Sequence, residues 1–197
     1  MDTPKDSHAR LANLAARDGQ LLIGGQPAER LAARAGRTPL YVYDRAAMSE
    51  RVASLRACLP AEVELHYAIK ANPMPAVVAH FARLVDGFDV ASQREMLVAL
   101  DAGMDPAEIS FAGPAKQEAE LRAAIAAGIC VNCESETELE RLARQARALD
   151  LPARVALRVN PDFELKGAGM KMAGSPRQFG IDAVRIPAAM RQAESLG

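Results

Sequence analysis

Residues 63–73 read Val63-Glu64-Leu65-His66-Tyr67-Ala68-Ile69-Lys70-Ala71-Asn72-Pro73. Val63, Leu65, Tyr67 and Ile69 alternate with Glu64, His66, Ala68 and Lys70, the period of a strand with one apolar face. A lysine at the mouth of a buried strand sits where desolvation disfavours its ammonium form. The neutral amine is the nucleophile that forms Schiff bases with aldehydes. A strand whose last residue simply meets solvent has the same local pattern, so the decision rests on the polar residues further along.

Those residues recur at intervals. Asp89 lies in Gly87-Phe88-Asp89-Val90-Ala91-Ser92, and Lys116 closes Phe111-Ala112-Gly113-Pro114-Ala115-Lys116. Cys133-Glu134-Ser135 and Arg158-Val159-Asn160-Pro161 follow. Each set ends an apolar run and precedes a helical pattern. An unpaired guanidinium at Arg158 would be costly inside a protein, so a ring, phosphate or carboxylate partner is expected, with a structural pair to Glu134 or Asp89 as the plainer alternative. His66 reads as a hydrogen-bonded core histidine, Glu95 as a weaker candidate, and Ser92 and Ser135 as helix caps.

The elements that position these groups follow from periodicity. Strands are expected over 63–70, 87–91, 108–112, 129–133 and 153–159, and helices over 74–84, 93–102, 115–127, 136–149 and 186–196. Gly103, Gly128 and Pro152 punctuate the returns. Five strands alternating with helices predict βαβ units, an α/β fold and a parallel sheet. Polar residues on the inner face at several strand ends favour a (β/α)8 barrel over an open sheet. About five of eight strands are visible, and such a barrel takes about 250 residues, so a partial barrel is expected. Upstream come a polar helix-like start around Leu11 and Leu14, an apolar piece at 21–23, a helix over 28–35 closed by Gly36, and a strand over 38–44. Asp44 is the expected cap of a helix running to residue 59.

Composition narrows the function classes. The 197 residues are 50% hydrophobic with no Trp, and the net charge is −1 with acidic and basic residues interspersed. A polyanion-binding surface is not advertised, so nucleic acid is not an expected partner. No apolar run reaches the length of a membrane span, and no secretory signal opens the chain. Three cysteines fit a reducing cytoplasm. Cys130 and Cys133 have the spacing of half a metal knuckle, but on a strand they face opposite sides; both are expected in the core, and no metal site is expected.

Four ordered motifs resemble the alanine-racemase-like barrel of the ornithine, diaminopimelate and arginine decarboxylases, fold type III. They are Tyr67-Ala68-Ile69-Lys70-Ala71-Asn72-Pro73, Gly87-Phe88-Asp89-Val90-Ala91-Ser92, Arg158-Val159-Asn160-Pro161 and Gln178-Phe179-Gly180-Ile181. The resemblance implies pyridoxal 5′-phosphate as cofactor, held through a Schiff base on Lys70, with Asp89 setting the protonation of Lys70 and Arg158 among the cofactor-binding residues. It implies decarboxylation of an amino acid by a homodimer. Residues 160–172 resemble the exosortase-associated subgroup and a relative that decarboxylates glutamate on an acyl carrier protein. The long 160–180 loop is expected to contact substrate, with Lys166, Lys171 and Arg177 as anion contacts.

In the family, a residue stacked on the cofactor ring, a glycine-rich phosphate cradle, an acidic partner of the pyridine nitrogen and a C-terminal β-domain come after the point reached at Gly197. Residues 1–36 would pair with that β-domain, leaving 37–197 as a truncated cofactor-binding barrel. Besides a pyridoxal-binding protein, which carries a similar lysine motif, two other readings stand beside the decarboxylase. A racemase is disfavoured because no Tyr-Gly-His-Gly run follows Lys70. The other is a fragment that acts by binding alone, with little or no turnover.

Overall fold

Phe88 and Val90, Ile109 and Phe111, and Val131 and Cys133 take alternate positions on three neighbouring strands, and each is at most 1% exposed. Between them Asp89, Ser110 and Asn132 face the other way. This division fixes the architecture: one face of the sheet packs on helices and the opposite face carries polar groups. The computed structural model describes residues 14–163 and 179–196. The chain divides into two units, residues 1–62 and residues 63–197.

In the first unit β1 (Ala15–Arg17), β2 (Gln20–Ile23) and β3 (Gln26–Pro27) form an antiparallel meander. Its two-residue turns are Asp18-Gly19 and Gly24-Gly25, all four at positive φ. This is the turn chemistry that lets a hairpin follow the strand twist. The helix-like start is thereby corrected from Ala15 onward, and the apolar piece at 21–23 has local partners on both sides. Leu11 lies outside the described residues. Helix α1 (Ala28–Ala35) closes on Gly36 at φ 71°, whose N–H reaches Ala32 O at 3.0 Å. Helix α2 (Arg45–Cys58) starts on Asp44, whose Oδ1 accepts from Ala46 N at 2.9 Å. Residues 38–44 alternate like a strand but are not one: none of the described strands pairs with them, and Tyr41 is 90% exposed.

In the second unit five parallel strands lie in sequential order. They are β4 (His66–Ala68), β5 (Gly87–Val90), β6 (Ile109–Phe111), β7 (Cys130–Cys133) and β8 (Val155–Leu157). The connections run through α3 (Pro75–Phe81), α4 (Gln93–Asp101), α5 (Glu118–Ala127) and α6 (Glu136–Leu149). A short parallel pair, β9 (Val159–Asn160) and β10 (Ile181–Asp182), precedes α7 (Ile186–Leu196). Met96, Leu121, Ile125, Leu139 and Leu142 bring the helices' buried sides to the apolar face of the sheet. The expected alternation holds in order and type, but the strands are shorter. Strand β4 begins only at His66, and Ile69–Ala71 is a turn of 3₁₀ helix, so Lys70 stands on a turn beyond the strand. Gly87 begins β5 because a Cβ there would collide with the Glu108 carbonyl oxygen and the His66 ring.

Candidate active site

The 3₁₀ turn after β4 is built to project Lys70. Asn72 N closes it on Ile69 O at 3.0 Å, and Ile69 is fully buried beneath. Tyr67 stacks on Phe81 with ring centroids 4.1 Å apart, while its hydroxyl donates to Asn72 O at 3.2 Å. Asn72 Oδ1 accepts from Met74 N and turns the chain into α3. Lys70 itself is exposed, so the burial expected of it is absent.

Its side chain faces a cavity of about 350 Å³, lined by Ala68, Asp89, Ala112, Asn132 and Arg158 among others. Asp89 lies opposite Ala68 in the parallel register and shares the cavity with Lys70. It does not cap α4; Ser92 does, its Oγ accepting from Glu95 N at 3.3 Å. Instead the Asp89 carboxylate accepts from Ser110 Oγ, which in turn accepts from Asn132 Nδ2 at 3.3 Å. A polar chain thus crosses β5, β6 and β7 on the cavity face. His66 is half-buried at this face, with Nδ1 3.9 Å from Asp89 and Nε2 3.7 Å from Glu64. It is only half-buried, less enclosed than the core histidine expected there. Glu95 is tied down as well: its Oε2 accepts from Ala91 N at 2.8 Å.

Arg158, at the end of β8, lines the cavity while Nη1 donates to Glu134 Oε1 at 2.9 Å. Its guanidinium lies over Phe179, 4.9 Å from the ring centroid. A cavity partner and a structural pair to Glu134 are the two alternatives for this arginine, and the structure contains elements of both: a carboxylate partner and a place in the cavity wall. Lys116 is buried. Its Nζ donates to Gly113 O at 2.7 Å, Asn132 O at 2.8 Å and both oxygens of Glu138 at 3.0 and 3.1 Å. Its position after a strand end is like that of Lys70, but its amine is fully committed to oxygen partners.

Cys133 is fully buried on the helix-facing side. Burial pushes its thiol up to about 12, the Glu138 charge adding to the effect. Cys130 lies on the opposite face and outside that core, a correction to its expected place. Among the described residues Glu64, His66 and Glu108 can bring three ligand atoms within 4.8 Å of one another. They sit at the N-terminal end of the strands, opposite Lys70, with Glu64 exposed. Lys166, Lys171 and Arg177 lie outside the described residues.

Strand order, the lysine turn and a cavity at the C-terminal strand ends together define a class, the lysine-bearing α/β barrels that act at that rim. Residues 45–197 match the family of pyridoxal-dependent decarboxylases, in its pyridoxal-binding domain. The chain belongs to that family, whose cofactor is pyridoxal 5′-phosphate. It is 39% identical over 182 residues to diaminopimelate decarboxylase of Vibrio cholerae, covering 91% of this chain and 43% of the relative. It is 35% identical over 160 residues to the L-glutamyl-[BtrI acyl-carrier protein] decarboxylase of Niallia circulans, covering 81% and 37%. A crystal structure of diaminopimelate decarboxylase from M. jannaschii superposes with a TM-score of 0.80 at 28% identity, over 93% of this chain and 45% of that one. The chain spans less than half the length of these relatives. The α/β fold with five parallel strands is that of a partial (β/α)8 barrel.

Proposed function

We propose that this chain supplies the lysine-bearing part of a pyridoxal-phosphate-dependent amino-acid decarboxylase. The observation that carries the reading is the meeting of Lys70, Asp89 and Arg158 on one cavity wall. A primary amine, a carboxylate and a guanidinium facing one cavity suit an aldehyde bearing an anionic group, so the donor set fits the cofactor.

Lys70 would attach the cofactor through its amine, and Asp89 would hold charge beside that amine. Arg158 would face an anionic or ring oxygen, since its fork of donors exceeds what one oxygen of Glu134 can take up. When bound, the cofactor ring accepts the electron pair released as the substrate's carboxylate leaves as carbon dioxide. The cavity-lining residues would hold the substrate and orient its carboxylate for that loss.

The substrate class is an α-amino acid, free or carried on a protein; the carrier-linked relative supports including the second. We also propose that residues 1–36 pair with a C-terminal β-domain, place the protein in the cytoplasm and expect a homodimer. No helix among the described residues is long and apolar enough to cross a membrane. Five strands in one row leave the sheet edges at β4 and β8 without further strand partners among the described residues. Because it spans less than half the length of the relatives it matches, the 197-residue chain alone is expected to bind cofactor weakly and to turn over little or no substrate.

The test is borohydride reduction in the presence of pyridoxal phosphate, followed by peptide mapping. The adduct is expected on Lys70; undiminished labelling of a Lys70→Ala chain would remove the assignment.

A further inference from the structure

Glu134 is held from several sides at the rim. Its side chain is 2% exposed, yet it is a carboxylate. Oε1 accepts from Gly113 N at 2.7 Å and from Arg158 Nη1 at 2.9 Å, and Oε2 accepts from Gly180 N at 3.1 Å. These donors belong to three separate segments. Gly113 follows β6, Arg158 follows β8, and Gly180 precedes β10, while Glu134 itself follows β7 between the first two strands. Its own backbone is held from behind, since Glu134 N donates to Glu138 Oε2 at 2.8 Å and Glu138 is paired with buried Lys116.

A buried carboxylate is a costly way to satisfy two backbone N–H groups, which a neutral amide oxygen could serve. A carboxylate adds a charge, and among the described residues the charged donor that meets it is Arg158. Gly180 shows how closely this corner is packed. It has φ 78°, and a Cβ would come within 2.9 Å of Arg158 O.

We infer that Glu134 is a positioning residue: it aims the Arg158 guanidinium along the cavity wall and pins the rim backbone at Gly113 and Gly180, without itself touching cofactor or substrate. The ligand-binding consequence rests on the proposed pyridoxal-phosphate reading; the aiming of Arg158 does not.

The experiment uses the full chain and Glu134→Gln, which keeps shape and removes charge. Arginine modification by phenylglyoxal, mapped by mass spectrometry, should be several-fold faster at Arg158 in the variant, because the guanidinium loses its charged partner. An unchanged rate at Arg158 overturns the inference, whatever the cofactor does. A pyridoxal phosphate titration is the second arm. Glu134→Gln should weaken binding about tenfold, the worth of one hydrogen bond to a charged group, and should add nothing in an Arg158→Gln background. Equal weakening in both backgrounds would show a purely structural role and also overturn it. If Glu134→Gln does not fold by circular dichroism, Glu134→Asp replaces it, with a smaller rise at Arg158 expected and the same unchanged rate decisive. Failure of Lys70 labelling would sink the decarboxylase reading and leave the phenylglyoxal result standing.

Discussion

Two lysines stand at strand ends on the same rim, and their surroundings could hardly differ more. Lys116, after β6, has four contacts to oxygen and a side chain that is 1% exposed. Lys70, after β4, is exposed on a cavity wall, and the described residues provide no hydrogen bond to its amine. A buried ammonium with every proton bonded is a fixed structural cation, and its nucleophilic pair is not free to react. An uncommitted amine on a cavity wall can react. The difference teaches that a lysine's chemistry here is set by what its neighbours leave undone.

The contrast is testable directly by reductive methylation with formaldehyde and cyanoborohydride. Lys70 should be modified in the native chain, whereas Lys116 should react only through opening of the structure. Comparable rates read by peptide mass would break the comparison. Next in size is Lys116→Met. It strands Glu138 in the interior and should cost about 3–5 kcal/mol in urea unfolding. Lys70→Met, at an exposed position, should stay within about 0.5 kcal/mol. Gly180→Ala should fall between them, at about 1–3 kcal/mol, because it forces a side chain into left-handed backbone against the Arg158 carbonyl.

A pH-dependent effect concerns the thiol behind Lys116. Cys133 is raised by burial to about 12 from 9.0, with Glu138 raising it further and Lys116 lowering it. Its folded form holds the proton more tightly than the unfolded form. Its contribution to stability is therefore complete below pH 9 and is lost as pH rises towards 12. Unfolding midpoints measured across that window should fall less in Cys133→Ala than in the parent chain; parallel curves would show that the thiol does not contribute. Below pH 9 a disulfide reagent should label exposed Cys58 and spare Cys133.

Much of the second unit is legible in the sequence because its information is local. Period-two runs mark the five strands, and Ser92 and Ser135 mark two helix starts that the caps realise. Helix α6 and helix α7 have the expected bounds. The first unit is less legible. Asp18-Gly19 and Gly24-Gly25 carry a hairpin signal that the helix-like pattern around Leu14 obscures. Residues 38–44 have strand periodicity but no ladder, and a strand needs a partner that periodicity does not supply. The polar chain from Asn132 through Ser110 to Asp89 also escapes a local reading, because its members lie 22 and 21 residues apart.

The sequence by itself determined where polar residues follow apolar strands and in what order along the chain, because residue type and period are local properties. It determined the parallel βαβ succession and the family motif around Lys70. Tertiary structure alone decided that Lys116 is locked while Lys70 stands exposed on a cavity wall, that Arg158 is held by Glu134, and that Asp89 is bonded to Ser110 instead of capping a helix. Those outcomes depend on which side chains the parallel register places side by side, at distances that no local pattern encodes.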